Sequence, residues 1–236
     1  NKQTEKTYRI LSFERLLEVL INKEINFVKP KLWDDPYENF FFKQKVTIAS
    51  GKKVTLKRFE NDLYGNCWTL NSDYDFSWKV YAPYKNGVQI STSIDKIYKN
   101  FEYLKDDEHC ISFQIGAITY MNWKELKDIY EKKDKINPFI DLFNNKSLFQ
   151  KRKEFSHEKE IRILIRYLDN KNDLLKLKID PNDLFDSILL DPRLNKDQSE
   201  LYKKLIKQQG FNGKVEQSRL YSIPNLKLKF NNIQDE

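Results

Sequence analysis

Residues 160–168 constrain this chain more than any other stretch. Ile161, Ile163, Ile165 and Tyr167 alternate there with Glu160, Arg162, Leu164 and Arg166. A period of two is the signature of a strand, with one set of side chains on each face. Residues 8–11, 25–28, 87–91, 111–120, 188–190 and 215–221 read as further strands. Residues 78–84, 123–133 and 198–208 read as helices, the last stopped by Gly210. Ser12 is a candidate N-cap, with Glu14 in the first turn. Phe13, Leu16, Leu17, Leu20 and Ile21 then form one apolar stripe. Residues 43–58 carry six lysines and arginines and no acid. Alternation on either side of Ser50-Gly51 predicts a β-hairpin with a cationic face. Strands and helices are mixed without strict alternation, which predicts an α+β domain and not a doubly wound sheet. No linker interrupts residues 1–236, so a single domain is expected, with 180–230 as a candidate C-terminal subdomain.

Of 236 residues, 39% are hydrophobic and 33% charged, a globular composition with enough length for a real core. Only Cys67 and Cys110 are present, which predicts a reducing, cytoplasmic setting without a disulfide framework. No run of about 18 apolar residues exists, and residues 1–7 are polar, so neither a membrane span nor a signal peptide is expected. The net charge of +7 raises the prior for an anionic partner such as nucleic acid. A lysine-rich solvated surface explains it equally well.

Several chemistries lack their motifs. The six glycines form neither a dinucleotide-binding turn nor a phosphate-binding loop. His109 and His157 do not stand at zinc-ligand spacing with the cysteines. No Gly-x-Ser-x-Gly elbow occurs.

Four groups of residues remain. Glu158-Lys159-Glu160 places two carboxylates at i and i+2, roughly 7 Å apart if both lie on a strand. Like charges that close raise one pKa and divide the roles, as suits cleavage through an oxocarbenium-like transition state. Tyr8-Arg9 offers a guanidinium fork for phosphate or ribose oxygens beside an aromatic ring. Trp33-Asp34-Asp35-Pro36-Tyr37-Glu38 presents carboxylates on a stiff Asp-Pro turn. Cys67-Trp68-Thr69 is followed by Trp78 and Tyr81, which share a helix face. Each also has a plain structural reading: an exposed acidic pair, a solvated arginine, a turn, a core face.

Together these blocks resemble a bacterial domain family of unknown function. Its signature runs Phe-Asn-Asp-Pro-Phe-Glu, Cys-Phe-Ser, Met-Trp-x-x-Tyr-Ala, Trp-x-x-Glu-x-Glu-x-Arg. Here the blocks are Trp33-Asp34-Asp35-Pro36-Tyr37-Glu38, Cys67-Trp68-Thr69, Ser77-Trp78-Lys79-Val80-Tyr81-Ala82 and Phe155-Ser156-His157-Glu158-Lys159-Glu160-Ile161-Arg162. Asp34, Thr69 and Phe155 depart from it. That family is in turn similar to the ADP-ribosyltransferase superfamily. The resemblance implies a split mixed or antiparallel sheet with peripheral helices, NAD as substrate, and transfer of ADP-ribose to a macromolecule. It implies Glu160 and Glu158 as catalytic residues. Arg9 would hold the NAD phosphates or ribose, and Tyr8 and Tyr81 would flank a ring. Thr69, with Ser91-Thr92-Ser93 as its rival, would steady the arginine and the glutamate. Trp68 and Asp35 complete the implied ligand contacts. By analogy it implies a toxin or phage-defence role with an antitoxin-like partner.

For the acceptor, the acid-free segment 43–58 and Lys151-Arg152-Lys153 fit a phosphate backbone, with Trp33 and Tyr37 as stacking surfaces. Nucleic acid is therefore favoured slightly over protein. Two other classes stay open: a non-catalytic nucleic-acid-binding module, and a metal-dependent nuclease using Asp34, Asp35, Glu158 and Glu160.

Overall fold

The computed structural model describes residues 5–38, 40–47, 50–131 and 145–227. The first strand, β1 (Lys6–Ser12), runs into α1 (Phe13–Asn22), where the Ser12 hydroxyl accepts a hydrogen bond from the Arg15 amide and caps the helix. The chain leaves α1 through Lys23 at φ 51 and enters β2 (Glu24–Val28). The expected hairpin is present as β3 (Lys45–Thr47) and β4 (Lys53–Thr55). Next come β5 (Leu63–Thr69), α2 (Asp75–Tyr81), β6 (Gly87–Ser93) and α3 (Ile94–Asn100). They are followed by β7 (Cys110–Ala117), β8 (Thr119–Met121), α4 (Trp123–Glu131), β9 (Gln150–Arg152) and β10 (Glu160–Tyr167). β11 (Leu174–Lys178), α5 (Pro181–Leu184), β12 (Ser187–Leu190), α6 (Lys196–Gln208) and β13 (Lys214–Gln217) complete the order.

One large sheet dominates. It is mixed, because β12 and β13 run parallel while the other pairs in it are antiparallel. Its path is β11-β2-β5-β1-β6-β12-β13, and β10 joins β5 to β7. One edge of β5 is zipped to β10 over seven residue pairs. The other edge is shared. It meets β2 at Val28↔Gly65 and β1 at Tyr8↔Thr69. The sheet therefore forks beside β5, with α1 bridging β1 and β2.

Alternation along β10 decides what each face buries. Ile161, Ile163 and Ile165 join Tyr64, Trp68, Phe13, Leu16 and Ile90 in the main core. Leu164 joins Phe41, Phe42, Leu56, Leu63 and Leu148 in a second core on the opposite face. Glu160, Arg162 and Arg166 predict a polar second face, yet all three are buried. The segments that carry Phe41, Leu56 and Leu148 cover it.

Some boundaries differ from the sequence pattern. The helix expected at 78–84 starts at Asp75 and ends at Tyr81. The strand expected at 111–120 breaks into β7 and β8, and the last strand stops at Gln217. The helix expected at 123–133 ends at Glu131, and positions 132 and 133 lie outside the described residues. β5 has no strand signal in the sequence. Gly65 and Asn66 interrupt its apolar pattern, and both of its faces are buried, which erases alternation. Gly65 is required there, because a Cβ would stand 2.3 Å from Cζ2 of Trp33.

Candidate active site

The fork brings three of the expected residues into one row. Tyr8 pairs with Thr69 and Thr69 with Glu160, so the three lie on neighbouring strands and share a face. Thr69 Oγ1 donates a hydrogen bond to the carbonyl of Glu158 at 2.5 Å and accepts from the Asn71 amide. It ties β5 to the turn that carries the glutamates. The hydroxyls of Ser91, Thr92 and Ser93 are used elsewhere: on Ser187, on the Leu184 carbonyl, and as the cap of α3.

Glu158 is not on the strand. It closes a 3-10 turn (Lys153–Glu158), and Lys159 at φ 44 reverses the chain into β10. The two carboxylates meet through a lysine that the sequence assigns to a phosphate-binding cluster. Lys151 Nζ stands 2.6 Å from Glu158, 2.8 Å from Glu38 and 3.4 Å from Glu160. It is therefore buried among carboxylates and does not face a phosphate backbone. Arg152, its neighbour, pairs with Asp35 at 3.2 Å and lies 4.3 Å over the Tyr37 ring. Only Lys153 of that cluster is exposed.

Arg162, fully buried, completes the network. Its Nε and Nη2 donate to Glu160 Oε1 at 2.9 and 2.7 Å. Nη2 also donates to Glu38 at 3.0 Å and Nη1 to the Leu148 carbonyl at 2.6 Å. The guanidinium lies 4.2 Å over Trp33, whose other neighbour is Gly65, so that ring is not open for stacking. Such a network is stabilising only when every charge is paired, and here three carboxylates face two cations.

The consequence is a divided pair. Burial raises the pKa of Glu158, and Lys151 only partly offsets this. Burial pushes Glu160 upward as well, but Arg162 and Lys151 overcome it and hold its pKa below the ordinary value. Tyr120 brings no charge but holds the start of β10. Its hydroxyl accepts from the Glu160 amide at 2.8 Å, and burial lifts its pKa to about 12. Tyr81, half-exposed, feels Glu158, Lys151, Glu160 and Cys67, and its pKa rises, chiefly through burial.

Arg9 follows the fork residue Tyr8 and is partly buried. Its Cβ points with Ile90, to the side opposite Tyr8. It makes no ion pair or hydrogen bond among the described residues. Burial lowers its pKa, and the Cys67 thiol acts against that. Cys67 shares the Glu160 face of the sheet, and burial, with Glu160 adding to it, raises its pKa. Trp68 is 3% exposed and packs in the main core, on the far face from Thr69 and Glu160. Its indole N–H has no acceptor among the described residues. Asp35 is held by Arg152 and the Tyr37 amide, one step removed from the glutamates. Asp34 is exposed and apart from the network. Among the described residues, no group of three or more His, Cys, Asp or Glu side chains is arranged to hold a metal ion. Lys151 sits where a cation would bridge the carboxylates.

Glu38, Arg162 and Tyr120 belong to the site without having been expected as catalytic or ligand-binding residues, and Lys151 belongs to it in place of the phosphate-binding role expected of its cluster. Glu38 and Arg162 carry a signal, as the last residues of their sequence blocks. Tyr120 carries none, and the basic cluster of Lys151 points to a phosphate instead, because only folding brings them to Glu160.

Residues 77–163 match the family described as "Protein of unknown function (DUF2971)". The match takes in the Trp78, Tyr81, Glu158, Glu160 and Arg162 blocks. No curated protein matches the chain. Among solved structures the chain is similar to Thermus sp. 2.9 DarT in complex with carba-NAD+, at 12% identity over 93% of this chain and 98% of that one, with a TM-score of 0.42. It is similar to the same protein in complex with NAD+, at 12% identity, 92% and 96% coverage and a TM-score of 0.43. The complex with ADP-ribosylated ssDNA stands at 11%, 92%, 95% and 0.43. The ligands belong to those complexes.

Proposed function

We propose that this protein is an NAD-dependent mono-ADP-ribosyltransferase acting on a macromolecular acceptor, nucleic acid rather than protein. One observation carries the reading: Glu158 and Glu160 meet on Lys151 at the fork of a split sheet, while Arg9, projecting from the other face of β1, has no counter-ion among the described residues. A desolvated guanidinium is costly until an anion joins it. Arg9 would therefore hold the phosphates of NAD, with Tyr81 and Tyr8 beside its rings.

The roles divide as the pKa values do. Glu160 stays ionised and stabilises positive charge on the ribose as the bond from nicotinamide nitrogen to C1′ breaks and its electron pair leaves with nicotinamide. Its Oε2 is the less engaged oxygen, 3.4 Å from Lys151, and is the one a ribose hydroxyl can use. Glu158 accepts the proton of the acceptor group as that group bonds to C1′. Modification of nucleic acid would suit a toxin or phage-defence effector restrained by an antitoxin-like partner.

A structural reading has one observation behind it: Glu160 is 6% exposed and both its oxygens are engaged. Nicotinamide release separates the two. Wild-type protein mixed with NAD and an oligonucleotide should release it, and Glu160→Gln should not, with secondary structure retained. Equal release by the two proteins sinks the transferase reading. No release by either leaves the network as scaffolding alone.

A further inference from the structure

We infer that the face leading from the Lys45–Thr47/Lys53–Thr55 hairpin to Trp123 is a docking strip for single-stranded nucleic acid. The inference rests on the transferase reading only in making that strand the acceptor; binding itself does not require it. Lys45 and Lys53 share one face of the hairpin by register, Lys45 opposite Thr55 and Lys53 opposite Thr47, and Lys52 precedes β4 in the chain. All three lysines are exposed, and none forms an ion pair among the described residues. Lys43 and Lys57, at the root, are partly balanced by the buried Glu60. The hairpin is not a loose arm. Phe41 and Phe42 before it and Leu56 after it are buried in the second core with Leu164, two residues along β10 from Arg162. Fixed cations on a rigid support, with no acid between residues 43 and 58, complement a polyanion.

The strip continues in aromatic rings. Phe40 opens the hairpin root and lies 6.5 Å from Tyr37. Tyr37 meets Trp123 edge-on at 5.8 Å. Arg152 covers Tyr37 at 4.3 Å, leaving Trp123 as the most open ring, 59% exposed. Flat faces of this kind stack on unpaired bases, which a duplex does not offer. Arg152 also contacts Phe155 at 5.1 Å, on the turn that carries Glu158. The strip therefore runs from phosphate-binding lysines, through stacking rings, to the glutamate turn.

The test is fluorescence anisotropy without NAD, using a labelled 20-nucleotide oligothymidylate and a duplex of equal length. The single strand should bind more tightly than the duplex, and its affinity should fall steeply with salt. The double variant Lys45→Glu with Lys53→Glu should bind more weakly, its log–log salt slope shallower by about 0.7 for each phosphate that is no longer neutralised. Trp123→Ala should weaken single-strand binding at least about fivefold and duplex binding little. Unchanged affinity in the hairpin variant, or a preference for duplex, overturns the proposal. Because NAD is absent, that result leaves the transferase reading standing. Loss of nicotinamide release with intact oligonucleotide binding would do the reverse.

Discussion

Lys151 is the residue on which the glutamates depend. Lys151→Ala would leave Glu38 and Glu160 sharing Arg162 and Glu158 without its ion pair, and removing one partner of a buried charge network costs about 3–5 kcal/mol. Urea unfolding should show that loss at neutral pH and a smaller one in acid, where protonated carboxylates no longer repel. Linkage fixes the signs of the single glutamates. Glu160 has a lowered folded pKa, so its contribution is present above the ordinary glutamate range and vanishes as pH falls through the lowered value. Glu158 has a raised folded pKa, so it destabilises at neutral pH and is relieved as pH falls through the raised value. The two partly cancel in stability and diverge in kinetics. NAD turnover should rise with pH around a midpoint above the usual glutamate value, and Glu158→Gln should abolish that limb. A turnover profile unaltered by Glu158→Gln would remove this residue from proton transfer. Glu160→Gln keeps its shape but weakens the bond to Arg162, so a lower melting temperature should accompany the lost turnover.

At the scale of elements, the site depends on close approach. α2 sits against β6 because Gly87 has no side chain: a Cβ there would lie 2.4 Å from Cβ of Ala82. Arg193 then holds the end of α2. Its Nη2 donates to the Trp78 and Ala82 carbonyls at 3.0 and 2.6 Å, while Asp191 grips the same guanidinium. Arg193→Ala should leave most of the sheet intact and speed amide hydrogen exchange in the last turn of α2, where Tyr81 sits. Uniform exchange across the chain would refute that local role. On β5, Gly65→Ala would push the Trp33 ring from beneath Arg162. Overpacking of this kind costs about 1–3 kcal/mol, readable as a fall in melting temperature.

At the scale of the whole molecule, two cores share one sheet, and β10 contributes to both. Ile163→Ala opens the main core and Leu164→Ala the second, each by about 2–5 kcal/mol. Because the strand is common to both, each variant should still unfold in a single transition, with circular dichroism and tryptophan fluorescence coinciding. Separated transitions would show that the second core is an independent unit.

The amino-acid order alone specified β10, the Ser12 cap, the hairpin and the succession of the four blocks, since alternation, capping and turn chemistry are local properties. It could not show β5, whose residues are apolar, small and polar in turn because both faces are covered. Nor could it turn Lys151 from a surface cation into the centre of three carboxylates. Glu38 meets Arg162 across 124 residues and Thr69 meets Glu158 across 89. Those partners are chosen by strand pairing and burial, and the cations brought to each carboxylate set the opposite pKa directions of Glu158 and Glu160.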